Sequence, residues 1–161
     1  RGDALCGFLD TDAALGADLL LGFTPQASYV LSDGNGGTVT VQLHAAKASL
    51  SPVRDGGEAA VRITVRVRAG VTESSGADTA DREMLALLED ELSRAVTAQI
   101  EAAAEASRTL DADFLELWRI LPEVKNDGVL AALRADVQTE STLERSYDIY
   151  GSAHGKEKPH G

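Results

Sequence analysis

Few side chains in this sequence are of the kind that make or break bonds, and those few are scattered. Of its three histidines, His44 lies on the polar face of an alternating run, and His154 and His160 lie in the terminal SAHGKEKPHG. His154 and His160 could share a metal ion, but a zinc site needs more ligands and no third one stands near them. The single cysteine, Cys6 in ALCGFL, reads as a small core residue, and with no second thiol an internal disulfide is impossible. Asp111 and Asp113 in LDADF have the spacing of a carboxylate pair, yet one of them capping the helix that follows accounts for them better. The glycines of SDGNGGT lack the lysine of a phosphate loop, and no helix follows them directly. Trp118, at helical spacing from Phe114 and Leu115, reads as core rather than as a platform for a ligand. The opening tripeptide Arg1-Gly2-Asp3 matches the integrin-binding motif, but three residues before a strand are better read as a turn. With no convergent nucleophile, base or ligand set, we expect no enzyme activity, no metal site and no cofactor.

The residues that do form a pattern are charged. In AAVRITVRVRAG, residues 59–70, Val61, Ile63, Val65 and Val67 alternate with Arg62, Thr64, Arg66 and Arg68. Arginines on a strand suggest nucleic acid, but the chain carries 26 Asp and Glu against 15 Lys and Arg, a net charge of -11. Repulsion at that charge works against docking on DNA or on an anionic membrane. A second alternating run, residues 135–149, shows Glu140, Glu144 and Asp148 on its polar side. If the two runs are neighbours, opposite charges meet across the ladder, each pair contributing about 0.2–1 kcal/mol. We expect antiparallel neighbours, with Arg62, Arg66 and Arg68 on the same face as Glu140, Glu144 and Asp148. The alternative is that the arginines meet a partner protein. Arg62, Arg66, Arg68, Glu140 and Glu144 are therefore the candidate interaction face.

The elements that must position these residues follow from periodicity. Residues 4–9 read as a short strand, and DTDAALGADLLLGF as a short helix capped by Asp10, Thr11 or Asp12. Leu15, Leu19 and Phe23 fall on its apolar stripe, and Gly22 and Pro25 end it. Residues 28–33 and 38–52 read as strands joined by the hairpin signal DGNG. Val39, Val41 and Leu43 share one face, but Ala48 and Leu50 are out of phase with them, so a β-bulge is expected near Ala45–Ala46. RDGGE then turns the chain into the arginine strand, 58–72. From 78 to 109 the period becomes 3.6, with Leu85, Leu88, Leu92, Val96, Ile100 and Ala103 on one stripe. Some thirty residues give a helix roughly 45 Å long, packed on the sheet or, alternatively, protruding as a coiled coil. DADFLELWRILPEV reads as a shorter helix ending at Pro122. In the last strand, Val137, Leu143, Tyr147 and Ile149 share a face with Thr139, Ser141 and Arg145. The expected fold is α+β: an antiparallel β-sheet of about four or five strands, one long helix on one face, and short helices. One domain spans 1–151, followed by a disordered tail at 152–161. The abrupt start at Arg1 reads as a fragment of something longer.

This order of elements resembles a known family. GDALCGFLDTDAALGADLLLG is similar to its strand, Gly and "Leu-Asp/Asn" leading into a small helix, and KASLSPVRDGGEAAVRITVRVRAGV to its paired strands with a Pro and a "DG" turn. The long helix, LDADFLELWR and a final strand closing at Gly151 complete the likeness, over residues 3–151. The family is Ger(x)C, the C subunits of bacterial spore germinant receptors, and the likeness is to its C-terminal domain. The chain departs from it in carrying Leu115, Glu116 and Leu117 where Gly and Phe are frequent, and in being Ala- and Arg-rich rather than Lys-rich. The resemblance implies a non-enzymatic domain of a lipoprotein, anchored through a lipid upstream of this fragment on the outer face of the inner spore membrane. Its partners would be the two membrane subunits of a nutrient-responsive receptor, with no nucleic acid. The alternative is a small-molecule binding module with a nutrient held in a groove beside the long helix.

Overall fold

β-branched residues alternating with polar ones, punctuated by glycine turns, build the first half of the molecule. The computed structural model describes residues 7–24, 26–55, 58–75, 77–79 and 81–144. Strand β1 (Ser28–Ser32) runs antiparallel to β2 (Thr38–Asp55), from Ser28↔Gln42 to Ser32↔Thr38. The turn between them forms as DGNG predicts. Asp33 Oδ1 accepts the N–H groups of Asn35 and Gly37, both at 2.8 Å, while Gly34 and Gly36 take φ of 76° and 89°. β2 then pairs antiparallel with β3 (Glu58–Ser74) along nearly its whole length. The register slips between Leu43 and Ala45, leaving His44 as the extra residue, next to the position expected from the change of phase.

The odd residues of β3 form the centre of the core: Val61, Ile63, Val65, Val67 and Ala69 are buried. Helix α2 (Arg82–Thr109) lies across this face. Asp81 caps it by accepting the N–H of Glu83, and every residue of the expected stripe from Leu85 to Ala103 is buried. Helix α1 (Thr11–Leu20), capped by Asp10 accepting from Ala13 N–H at 2.8 Å, lies on α2. The crossing is backbone to backbone. A Cβ on Gly16 would sit 2.5 Å from the carbonyl carbon of Gln99 and 3.0 Å from Ile100 N. At the same crossing Tyr29 Oη donates to Gln99 Oε1 at 2.8 Å, and burial holds the Tyr29 hydroxyl above its ordinary pKa.

The sheet order is β1-β2-β3-β4, and β4 (Arg134–Glu144) departs from the expected direction. It runs parallel to β3, from Ala60↔Arg134 to Gly70↔Glu144. The reason is the crossover: α2 and the segment after it carry the chain back to the start of β3, so β4 sets off in the same direction. The sheet is antiparallel in its other pairings.

Four further expectations are corrected. Residues 7–10 form no strand, and the rest of the expected run lies outside the described residues. Phe23 is exposed, because α1 ends at Leu20 and the next turn leaves the stripe. The segment after α2 is not one helix but two 3-10 turns, Leu117–Arg119 and Pro122–Lys125, followed by the short α3 (Val129–Ala132). Asp111 and Glu116 take left-handed φ of 47° and 57°, which no α-helix can carry through. Trp118 is consequently exposed rather than core, with the Lys125 ammonium 4.2 Å from its ring centroid. Asp113 caps as expected, its two oxygens accepting from the N–H groups of Leu117 and Trp118.

Candidate interaction face

The helices cover one face of the sheet, and alternation sends every second side chain to the other. On that uncovered face the register makes rows across three strands: Ser51–Arg62–Asp136, Ser49–Thr64–Gln138 and Lys47–Arg66–Glu140. Arg62 Nε lies 3.0 Å from Asp136 Oδ2, Arg66 Nε 3.0 Å from Glu140 Oε2, and Arg68 Nη1 3.4 Å from Glu144 Oε1. Arg62, Arg66, Arg68, Glu140 and Glu144 are thus brought together on one face of adjacent strands. Asp148 lies outside the described residues, and Asp136, which the sequence reading left out, takes a place in the array. With parallel strands each arginine of this set meets the acid whose number follows its own by 74 or 76. Alternation alone could have found Asp136 once the direction was known.

These pairs organise the face more than they stabilise it. The side chains of Arg66 and Glu140 are 71% and 70% exposed, so the pair contributes about 0.2–1 kcal/mol at most. Arg66 also has Lys47 directly opposite on its other side, and like charges so placed repel. Lys47 has no carboxylate partner among the described residues. His44 shares this face, its ring lying over Gly70, where a side chain would meet it.

Behind the face, β4 is tied to α2 through polar side chains. Ser93 Oγ bonds Ser141 Oγ at 2.9 Å, Thr97 Oγ1 bonds Thr139 Oγ1 at 2.8 Å, and Glu89 Oε1 accepts the backbone N–H of Leu143 at 2.9 Å. These contacts explain the hydroxyls at 139 and 141 on an otherwise apolar side. A cleft of about 730 Å³ lies at the end of the sheet, lined among others by Arg54, Leu121, Glu123, Val129 and Arg134. Arg54 pairs with Glu123 at 2.9 Å there. Among the described residues no group of three or more His, Cys, Asp and Glu could hold a metal ion, and no helix is long and apolar enough to cross a membrane. Cys6, His154 and His160 lie outside the described residues.

A search of curated proteins finds no match. Among solved structures the chain is similar to the crystal structure of the GerBC protein, with a TM-score of 0.74 at 16% sequence identity. The match covers 89% of this chain and 49% of that one, so the chain spans about half the length of the protein it resembles. That likeness defines the class of fold: the α+β architecture of a mostly antiparallel sheet under one long helix. The family described as "Spore germination B3/ GerAC like, C-terminal" matches residues 1–128. The chain belongs to this family, the one its order of elements resembles, and is a spore-germination domain of germinant-receptor C-subunit type.

Proposed function

We propose that this domain works in nutrient-triggered spore germination as a non-enzymatic contact module within a membrane receptor. In this reading the full-length protein is lipid-anchored on the outer face of the inner spore membrane, and the domain engages the two membrane subunits of the receptor. The observation that carries the reading is the uncovered sheet face. Among the described residues the four-stranded sheet carries helices on one side only, which leaves its other side for contact. Here that side carries an array in which Arg62, Arg66 and Arg68 pair in turn with Asp136, Glu140 and Glu144. Charges arranged in this way set register and partner choice more than affinity.

The test is Arg66→Glu in the full-length protein. It puts a carboxylate against Glu140 on an exposed face, so folding is spared while the charge pattern is inverted. The expected result is loss of co-purification with the membrane subunits and slowed nutrient-triggered germination, with an unchanged melting midpoint. Normal co-purification and normal germination would remove this face from the interface.

A further inference from the structure

Among the described residues the sheet has two open edges, and they differ. β1 covers β2 only from Thr38 to Gln42, so residues 45–55 of β2 have no strand beyond them among the described residues. That edge is guarded by Pro52, which has no N–H, by the charge of Lys47, and by the bulge at His44. The other edge is β4, 11 residues long, with no proline, no lysine and no shift of register.

Two observations show which groups of β4 are free. The N–H of Leu143 donates to Glu89 and so points away from β3. Pro52 stands opposite Val61 and has no N–H to offer it. The hydrogen-bonding groups of Val61 therefore turn toward β4, to Arg134 and Asp136 on either side of its register partner Ala135. Both observations put the odd residues of β4 on the outside. The backbone N–H and C=O of Val137, Thr139 and Ser141 face outward and meet no partner among the described residues.

The edge also has a wall. α2 runs above it, tied to Thr139 and Ser141. Two shallow depressions, about 280 and 490 Å³, lie along the helix, the first lined from Asp90 to Glu101 and the second reaching Arg134 and Ala135. An open strand beside a helix is the arrangement in which an extended segment adds to a sheet as one more strand. The charges choose its chemistry. Glu89, Asp90, Glu101 and Glu105 stand on the helix side, while Arg94 pairs with Asp90 and Glu91, and Arg108 with Glu105. Glu101 has no cation among the described residues. We infer that the β4 edge beside α2 is a strand-addition site for an extended segment of a partner protein with lysine or arginine at alternating positions. This site is separate from the sheet face and does not depend on the contact proposed for it.

The test is amide hydrogen exchange, followed by NMR, on the chain alone and with two eight-residue peptides. One peptide alternates lysine with valine and threonine; the other has glutamate in place of lysine. In the free chain the amides of Val137, Thr139 and Ser141 should exchange at least about tenfold faster than those of Gln138, Glu140 and Thr142, which bond to β3. The lysine peptide should slow the three outward amides by about tenfold or more, and the glutamate peptide should not. Val137→Pro should abolish that protection, since it removes one outward N–H and edge strands accept proline. Glu101→Lys, which leaves the backbone untouched, should weaken the lysine peptide severalfold. Outward amides already protected in the free chain, or unprotected by the lysine peptide, would overturn the site. Equal protection by both peptides would overturn the charge assignment.

Discussion

Gly16→Ala is the sharpest test of how the two helices meet. Within a helix, alanine is favoured over glycine by about 1 kcal/mol, so on propensity alone the change should stabilise α1. The packing says otherwise. The new Cβ would lie 2.5 Å from the carbonyl carbon of Gln99 and 3.0 Å from Ile100 N, where ordinary contact begins at 3.4 Å. Both atoms are backbone in the middle of α2, so no side chain can swing aside, and α1 must lift by roughly 1 Å or more. That movement loosens Ala13, Ala17 and Leu20, the buried residues of α1, and lengthens the bond from Gln99 Nε2 to Asp12. Overpacking against backbone that cannot swing aside falls in the upper part of the usual range, about 2–3 kcal/mol, more than the propensity gain. The expected net loss is about 1–2 kcal/mol, or about 2–8 °C in melting midpoint for a domain of this size. Urea melts followed by circular dichroism measure it. A midpoint equal to or above that of the parent chain would refute backbone contact at the crossing.

Leu92→Ala should cost about 2–5 kcal/mol and Val96→Ala should also destabilise clearly, whereas Glu101→Ala should stay within about 0.5 kcal/mol; denaturant midpoints compare them. Tyr29, whose pKa burial raises above 10.0, holds its proton in the folded state after the unfolded chain has lost it. Its contribution is complete below the unfolded value and falls away as pH climbs through the folded one. Tyr29→Phe should therefore cost about 0.5–1.5 kcal/mol at pH 8, through the lost bond to Gln99, and flatten the fall in stability at alkaline pH.

Much of this fold was legible because its signals are local. DGNG between alternating runs specified the β1–β2 turn, and the stripe from Leu85 to Ala103 specified the buried side of α2. Alternation, however, is blind to direction: Arg62 and Asp136 belong to polar sets that match in either sense, and only the return path through α2 makes the strands parallel. The 117–125 segment misled for a different reason. Phe114, Leu115 and Trp118 have helical spacing, but Asp111 and Glu116 adopt left-handed backbone that their side chains do not announce. Gly16 and the hydroxyl pairs Ser93–Ser141 and Thr97–Thr139 join distant residues, and no spacing rule links them. The candidate face was legible as charge pattern, since paired columns of opposite sign are written into the two runs themselves.

The parallel crossover has a consequence for the order of assembly. β2 and β3 are sequence neighbours and can zip as a hairpin within microseconds. Arg62 and Asp136, by contrast, are 74 residues apart, and closing so long a loop costs entropy before any contact repays it. β4 thus has no template until the hairpin and α2 are in place, and among the described residues it keeps a single strand neighbour afterwards. It belongs among the last units to form and the first to open. A strand laid along its outer side would turn that unit from a margin into an interior, and occupancy would be felt as added stability at the C-terminal end of the sheet.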